Sequence, residues 1–413
     1  MLLQRLRLFL RHKLWFRPAL ASLFSVAIAA AALLLGNHFE GRFDLDISEE
    51  SLVTLFGIFA SSMLSVATFT VSAIVTAASS ASTTSTPRAA RFILSDSTAQ
   101  TVLSAFIAAF IYSICGILAL KAFHYGHAGR FILFIGLIAI VIFVLLSFIN
   151  WVDHVMKLGR LSNTIERLHD AALSSLTPKT AGALGANTWD GAPSEDAAAV
   201  FPDGFGYVVD LGLGNLQELA CENDCQIYLF VRPGEHVETT APIAYVMPAD
   251  AKTPELASAI NGCIVLGSTR ESDSDVRFNI LNLTETADRA LSPAVNDPGT
   301  AVNILNVLVE VIEKWAKLQA DEETHKIAFD RLHALPLTAR EIVNDAFTPI
   351  ARDGAGSVEI GVRLQKVLRA LKRMGVDDLT QEADAMSKTA LELSDAALIA
   401  NEHNARVHQA AKA

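Results

Sequence analysis

The sequence predicts an α-helical membrane protein with four transmembrane helices, followed by a cytosolic α+β unit and a helical C-terminal region. Its 413 residues are 51% hydrophobic, which is more than a purely soluble chain requires. Residues 51–87 carry no charge, although about 20 apolar residues suffice for a helix to cross a bilayer. Residues 1–160 hold 12 basic and 7 acidic side chains, whereas the remainder holds 21 and 37. These observations predict a basic membrane domain at 1–160 and an acidic region after it.

The charge and the cysteines exclude several classes of function. An acidic region is poorly suited to nucleic acid, because phosphates require a positive protein surface. The chain has 4 cysteines, too few and too scattered for a disulfide framework, and we interpret them as reduced thiols. The sequence predicts no metal site and no cofactor.

The first predicted span, at about 18–36, follows a segment with five basic residues in positions 1–17. By the positive-inside rule this segment lies on the cytoplasmic side. Further spans are predicted at about 51–80, 99–120 and 131–152. Four crossings place both termini in the cytoplasm.

The second span carries a stripe of hydroxyl groups, which recur at steps of three or four residues and so share one helix face. We expect this face to avoid lipid tails, either by packing against other helices of an assembly or by lining a polar path. Tyr112, in the third span, is expected to bond to this stripe. The stripe consists of Ser61, Ser65, Thr68, Ser72, Thr76 and Ser79.

The interiors of the four predicted spans contain no charged residue. Proton relays, voltage sensors and ion-coupled pumps generally place ionisable groups within the membrane. The composition of the spans therefore argues against these mechanisms.

Beyond the membrane domain, residues 161–200 are predicted to continue the last span as a helix and then to form a linker. Residues 201–275 are predicted to form a small α+β unit, and 276–413 a helical region. Short β-branched or aromatic runs bounded by Gly, Pro and Asp indicate strands. The predicted strands are Gly206–Asp210, Gln226–Val231, Ile243–Val246 and Cys263–Leu266.

A turn between two predicted helices is the main candidate site outside the membrane. Asp297 before Pro298 predicts a helix N-cap. Arg289, Ser292, Asn296 and Asp297 crowd a helix N-terminus, where free N–H groups bind anions, so we predict a ligand-binding or subunit-contact site. The alternative is a rigid turn with Asp297 as the cap and Arg289 in a salt bridge.

The last predicted helix runs from Gln381 to about Asn404. It is rich in alanine and charge and has little apolar face. We therefore expect an exposed or oligomer-facing element.

Two stretches carry a family resemblance. Thr86-Pro-Arg88 follows the hydroxyl-rich span, and Arg289-Ala-Leu-Ser-Pro-Ala-Val-Asn-Asp-Pro-Gly-Thr-Ala301 forms the turn. Together with Tyr112, these stretches resemble the bacterial predicted-membrane-protein family known as domain of unknown function 2254, although its members usually have Ser in place of Thr86. The resemblance implies a bacterial inner-membrane protein with a cytosolic C-terminal domain, and it carries over no catalytic residue.

Three functions remain open. The first is a homo-oligomer that acts as a pore or scaffold and responds to a cytosolic small molecule or protein. The second is a non-conducting adaptor anchored in membrane lipids. A membrane-proximal enzyme ranks last, because the sequence contains no GxSxG, HExxH or P-loop pattern and no catalytic residue is predicted.

Overall fold

A computed structural model describes residues 19–31 except 21 and 29, and residues 47–84, 97–123, 125–155 and 160–412. The chain divides into two compact units, Met1–Thr164 and Ile165–Ala413. We refer to them as the membrane unit and the C-terminal unit.

Three long helices make up most of the described membrane unit. They are α1 (Glu49–Thr84), α2 (Ser97–Ala122) and α3 (His127–Val155). Each contains a stretch that is long and apolar enough to cross a membrane. Three of the four predicted spans are thereby confirmed as membrane-length helices.

The predicted first span, 18–36, is described in part: residues 19–31 except 21 and 29 are helical, and its other positions lie outside the described residues. The basic segment 1–17 and the Thr86-Pro-Arg88 stretch also lie outside the described residues.

Aromatic rings and glycines bring the three helices together. The ring of Phe56 on α1 lies edge-to-face on that of Tyr112 on α2, with 5.7 Å between the centroids. A Cβ atom on Gly116 would lie 2.9 Å from the Phe56 ring, so a side chain there would push the ring away. The Tyr112 hydroxyl donates to the Leu133 carbonyl oxygen of α3 at 3.0 Å, in space that Gly136 leaves free.

The C-terminal unit is built on two sheets. The five-stranded sheet has the order β1-β8-β4-β6-β2, and the three-stranded sheet the order β5-β3-β7. β8 pairs in parallel with both β1 and β4, and the remaining pairs are antiparallel. The strands are β1 (Ala186–Thr188), β2 (Ala198–Val200), β3 (Gly206–Leu211), β4 (Gln226–Leu229), β5 (His236–Val237), β6 (Ala244–Met247), β7 (Ile264–Gly267) and β8 (Phe329–Ala334).

Helices pack around these sheets and extend beyond them. Local signals set several helix starts: Thr253 accepts from the Leu256 N–H, and Thr338 and Glu341 form a reciprocal capping box. The helices are α4 (Leu161–Ser175), α5 (Pro178–Ala181), α6 (Leu213–Glu222), α7 (Pro254–Cys263), α8 (Val276–Leu291), α9 (Pro298–Gln319), α10 (Ala339–Asp353), α11 (Val358–Lys372), α12 (Asp377–Ala397) and α13 (Asn401–Lys412).

The four predicted strands are observed, with ends that differ by up to two residues. Two features differ from expectation. The segment 161–200, predicted as a helix and a linker, contains β1 and β2, and the predicted helical region contributes β8, which lies between β1 and β4 in the five-stranded sheet. β8 escapes a pattern search because only Leu332 and Ala334 of its six residues are buried, which is too few for a clear alternation.

The expectation of an exposed last helix is wrong for α12. This helix buries Leu379, Ala383, Met386 and Ala390, and it packs against α10 and α11. Because alanine side chains are small, α12 can pack closely against α10 and α11 although its sequence contains few large apolar residues. A break at 398–400 separates α12 from α13.

Candidate functional site

The hydroxyl stripe lies on the outer face of α1. Its members Ser61, Ser65, Thr68, Ser72, Thr76 and Ser79 are exposed. The opposite face buries Leu52, Phe56, Met63 and Ile74 along α2, which packs closely against α1. No helix in the described part of this chain covers the stripe.

Four hydroxyl groups of the stripe are bonded within their own helix. Those of Ser61, Ser65, Thr68 and Ser72 donate to carbonyl oxygens three or four residues earlier, at 3.0, 3.0, 2.9 and 3.1 Å. Such bonds satisfy the donor and leave acceptor lone pairs facing outward. The stripe is therefore compatible with a dry contact to another helix as well as with a wet one.

Large apolar side chains flank the stripe. Leu64, Phe69 and Val75 are 52%, 64% and 57% exposed. The outer face of α1 is thus mixed, with a polar row bordered by side chains suited to lipid or to another helix.

The prediction that Tyr112 bonds to the stripe is wrong. Its side chain is fully buried, and its hydroxyl bonds to the Leu133 carbonyl of α3. Tyr112 lies on the inner side of α1, since it contacts Phe56, so it cannot reach the outer face. Its role here is to fix α2 against α3.

The predicted turn between α8 and α9 is a closed hydrogen-bonded unit. The Asp297 carboxylate accepts from the Thr300 N–H at 3.1 Å and from the Thr300 hydroxyl at 2.6 Å. These bonds hold the pKa of Asp297 below its usual range. Asp297 is therefore the N-cap of α9, as predicted, with Pro298 at the first helical position.

The other residues of the turn also contribute to its shape. The Ser292 hydroxyl donates to the Arg289 carbonyl at 2.6 Å, and the Asn296 N–H donates to the Ser292 carbonyl at 2.9 Å. Asn296 has φ +50°, a left-handed conformation that asparagine tolerates better than most residues. The structure brings Arg289, Ser292, Asn296 and Asp297 together, and its geometry accounts for a turn. Ligand or subunit contact at this turn stays a prediction.

Sequence reasoning missed an ion-pair network in the C-terminal unit. Arg232 donates to Glu235 and to Glu341, and Arg277 donates to Glu341 at 3.0 Å and to Asp345 at 2.6 Å. Glu341 therefore binds two arginines while it caps α10. Arg232 and Glu235 are three residues apart, but the other partners are 64 to 109 residues apart. No local sequence pattern reports a contact over that distance.

The network connects elements of the fold, and its arginines are paired with carboxylates. The Arg232 side chain is 11% exposed and that of Glu341 23%. Each arginine faces two carboxylates, so the network offers an anion no unpaired cation. It joins the loop after β4 to the starts of α8 and α10.

Comparison with known proteins identifies a family. A family model described as "Predicted membrane protein (DUF2254)" matches residues 11–370. No curated protein and no solved structure matches the chain significantly.

Proposed function

The chain belongs to the DUF2254 family of predicted membrane proteins, and we propose that it self-associates in the membrane through the hydroxyl stripe of α1. The observation that carries this proposal is that the stripe is exposed in the single chain. In lipid, apolar surface gives little drive for helices to associate, whereas small and hydroxyl-bearing residues favour close packing between helices. A second copy of α1 supplies the same residue types and is a suitable partner.

In this proposal the membrane unit is a homo-oligomeric scaffold or pore, and the C-terminal unit responds to a cytosolic ligand or partner. Four hydroxyl donors of the stripe are already bonded to α1 carbonyls, which favours dry helix packing over a wet lining. The scaffold is therefore the preferred form. A non-conducting adaptor is the alternative, in which the same assembly carries no ion flux.

The proposed location is the bacterial inner membrane, with both termini in the cytoplasm. The support is the charge distribution, since basic residues are concentrated in positions 1–17 and acidic residues in the loop before α1. The C-terminal unit then lies on the cytoplasmic side.

Cysteine cross-linking in native membranes tests the proposal. In a cysteine-free background, Ser65→Cys and Ser72→Cys are expected to give oxidative dimers, because stripe positions face each other across the contact. Leu146→Cys is the matched control. Leu146 is 58% exposed on α3, outside the proposed contact. The Leu146→Cys variant is therefore expected to stay monomeric.

Two outcomes would contradict self-association through the stripe: no dimer from either stripe cysteine, or dimers of equal yield from Leu146→Cys. If dimers form, labelling with a membrane-impermeant thiol reagent separates the two forms of the assembly. Labelling of Ser65→Cys, Ser72→Cys and Thr76→Cys indicates a wet face and a pore, whereas protection indicates a dry scaffold. Ion flux in reconstituted vesicles gives an independent answer.

A further inference from the structure

The C-terminal unit contains a cavity of about 280 Å³ beside the three-stranded sheet. Its size is near the lower end of the range for small-molecule sites. It lies between β5, β7, the end of α7 and the loop that precedes β3. The lining residues are Pro202, Asp203, Gly204, Val237, Ile243, Ser258, Asn261, Gly262, Ile264 and Leu266.

The floor of the cavity is apolar and belongs to the hydrophobic core. Val237, Ile243 and Ile264 are 4%, 1% and 6% exposed, and all three belong to the hydrophobic core of the C-terminal unit. Such a floor favours apolar groups by the ordinary hydrophobic effect.

A single amide holds the loop over the cavity. The Asn261 side chain donates from Nδ2 to the Phe201 carbonyl at 3.0 Å, and its Oδ1 accepts from the Asp203 N–H at 3.0 Å. Residues 201–203 are thereby tied to α7. The cavity is formed before any ligand enters it.

Two glycines of the lining keep space open. A Cβ atom on Gly204 or on Gly262 would meet no described atom within 4 Å. Gly262 lies within α7, where glycine weakens a helix relative to alanine. Close packing does not explain Gly262, in contrast to Gly361, where a Cβ atom would lie 2.9 Å from Val407. Since Gly262 lines the cavity, a side chain at this position is expected to extend into it.

The charge of the lining selects the ligand class. It contains one carboxylate, Asp203, and no Lys, Arg or His. Ser258 adds a hydroxyl. An anion would therefore meet a carboxylate without a balancing cation, whereas an amine would be attracted.

We propose that this cavity binds a small molecule with an apolar, ring-sized body and a neutral or cationic polar group. The apolar body lies against Val237, Ile243 and Ile264, and the polar group faces Asp203. The site belongs to the C-terminal unit alone and does not depend on association through α1.

Three probes of similar shape and different charge test the proposal: benzylamine, benzyl alcohol and benzoate. Binding to the full chain in nanodiscs is measured by saturation-transfer NMR titration. Gly262→Leu fills the cavity. Gly214→Leu is the matched control, because Gly214 is also a helical glycine whose Cβ would meet no described atom within 4 Å, on α6 and outside the lining. Probe taken up by the lipid contributes equally in every sample, so a difference in binding between these proteins reports the cavity alone.

The wild type and Gly214→Leu are expected to bind benzylamine more tightly than benzyl alcohol, and benzoate most weakly. Gly262→Leu is expected to lose binding at least tenfold while its Tm is unchanged or higher. Asp203→Asn is expected to bring benzylamine to the affinity of benzyl alcohol. Should Gly262→Leu lower the Tm, Gly204→Leu fills the cavity from the loop side and decides the question.

The proposal is overturned if a folded filling variant binds the probes as the wild type does. It is also overturned if the wild type binds no probe above the level of that variant, or if benzoate binds most tightly. None of these results bears on cross-linking through α1, so the two proposals fail separately.

Discussion

Thr70 in the membrane unit and Thr284 in the C-terminal unit are both fully buried threonines on helices, yet they use their hydroxyl groups differently. Thr70 donates to the Val66 carbonyl of its own helix at 2.8 Å. The Thr284 hydroxyl oxygen lies 3.0 Å from the carbonyl oxygen of Asp345 on α10, which is 61 residues away in the chain. It also lies 3.1 Å from the carbonyl oxygen of Ile280 on its own helix.

The long-range contact of Thr284 has a specific cause. α10 contains Pro349, which has no N–H and cannot bond to the carbonyl four residues earlier. That carbonyl belongs to Asp345, and it is the nearer of the two α10 carbonyls within reach of the Thr284 hydroxyl. α8 therefore supplies a donor that α10 lacks.

The same difference holds for the hydroxyl stripe. Most hydroxyls described in α1 bond within that helix, so the outer face of α1 is free to meet lipid or another helix, whereas Tyr112 on α2 bonds across to α3. The C-terminal unit instead pairs polar groups across distant segments, as Arg232 and Arg277 do with Glu341. Local bonding stabilises helices one by one, whereas long-range bonding specifies how the elements pack.

The largest effect is expected from Glu341→Gln. Glutamine keeps the capping box but leaves Arg232 and Arg277 with less compensation, and breaking a buried pair costs about 3 kcal/mol. Chemical denaturation at pH 7, followed through the C-terminal unit, measures the change. Glu313→Gln removes an exposed pair with Lys317 and is expected to cost less than about 0.5 kcal/mol. Similar losses in the two variants would contradict the structural role of the network.

A smaller effect is expected from Thr284→Val. It leaves the half-buried Asp345 carbonyl without the donor from α8, at a cost of about 1 kcal/mol. Adding Pro349→Ala restores the N–H of residue 349, so the double variant is expected to recover much of the loss. The measurement is a double-mutant cycle by chemical denaturation.

Thr70→Val is the membrane-unit counterpart of Thr284→Val. The Val66 carbonyl keeps its helical N–H partner, so the loss is expected to be under about 0.5 kcal/mol. Equal losses from both threonine variants, or strict additivity with Pro349→Ala, would remove the distinction between local and long-range bonding.

The sequence predicts what local chemistry determines. The Asp297 cap, the strand Gly206–Asp210 and the lengths of α1, α2 and α3 depend on neighbouring residues and on the absence of charge. The position of β8 and the pairing of Arg277 with Asp345 depend on contacts across the fold. A single sequence contains no periodicity that reports them. For the stripe of α1, the periodicity identifies a shared face but not the direction in which that face points.

An effect that depends on pH is expected at Asp288. Burial, with the nearby Asp353 carboxylate, raises the pKa of Asp288 from 3.8 to about 7, and its Oδ1 has no hydrogen-bond partner among the described residues. The folded state therefore binds a proton that the unfolded state releases above about pH 4, so this residue lowers stability as the pH rises from about 4 to about 7. Asp288→Asn removes the charge and is expected to raise Tm relative to the wild type, by more at pH 8 than at pH 5. Asp250→Asn, at an exposed carboxyl, is the control for the substitution itself. Two outcomes would show that α8 does not bury this charge: a difference in Tm that is the same at both pH values, or a variant less stable than the wild type at pH 8. In either case the contrast between α8 and the charge-free interiors of α1, α2 and α3 would be weaker.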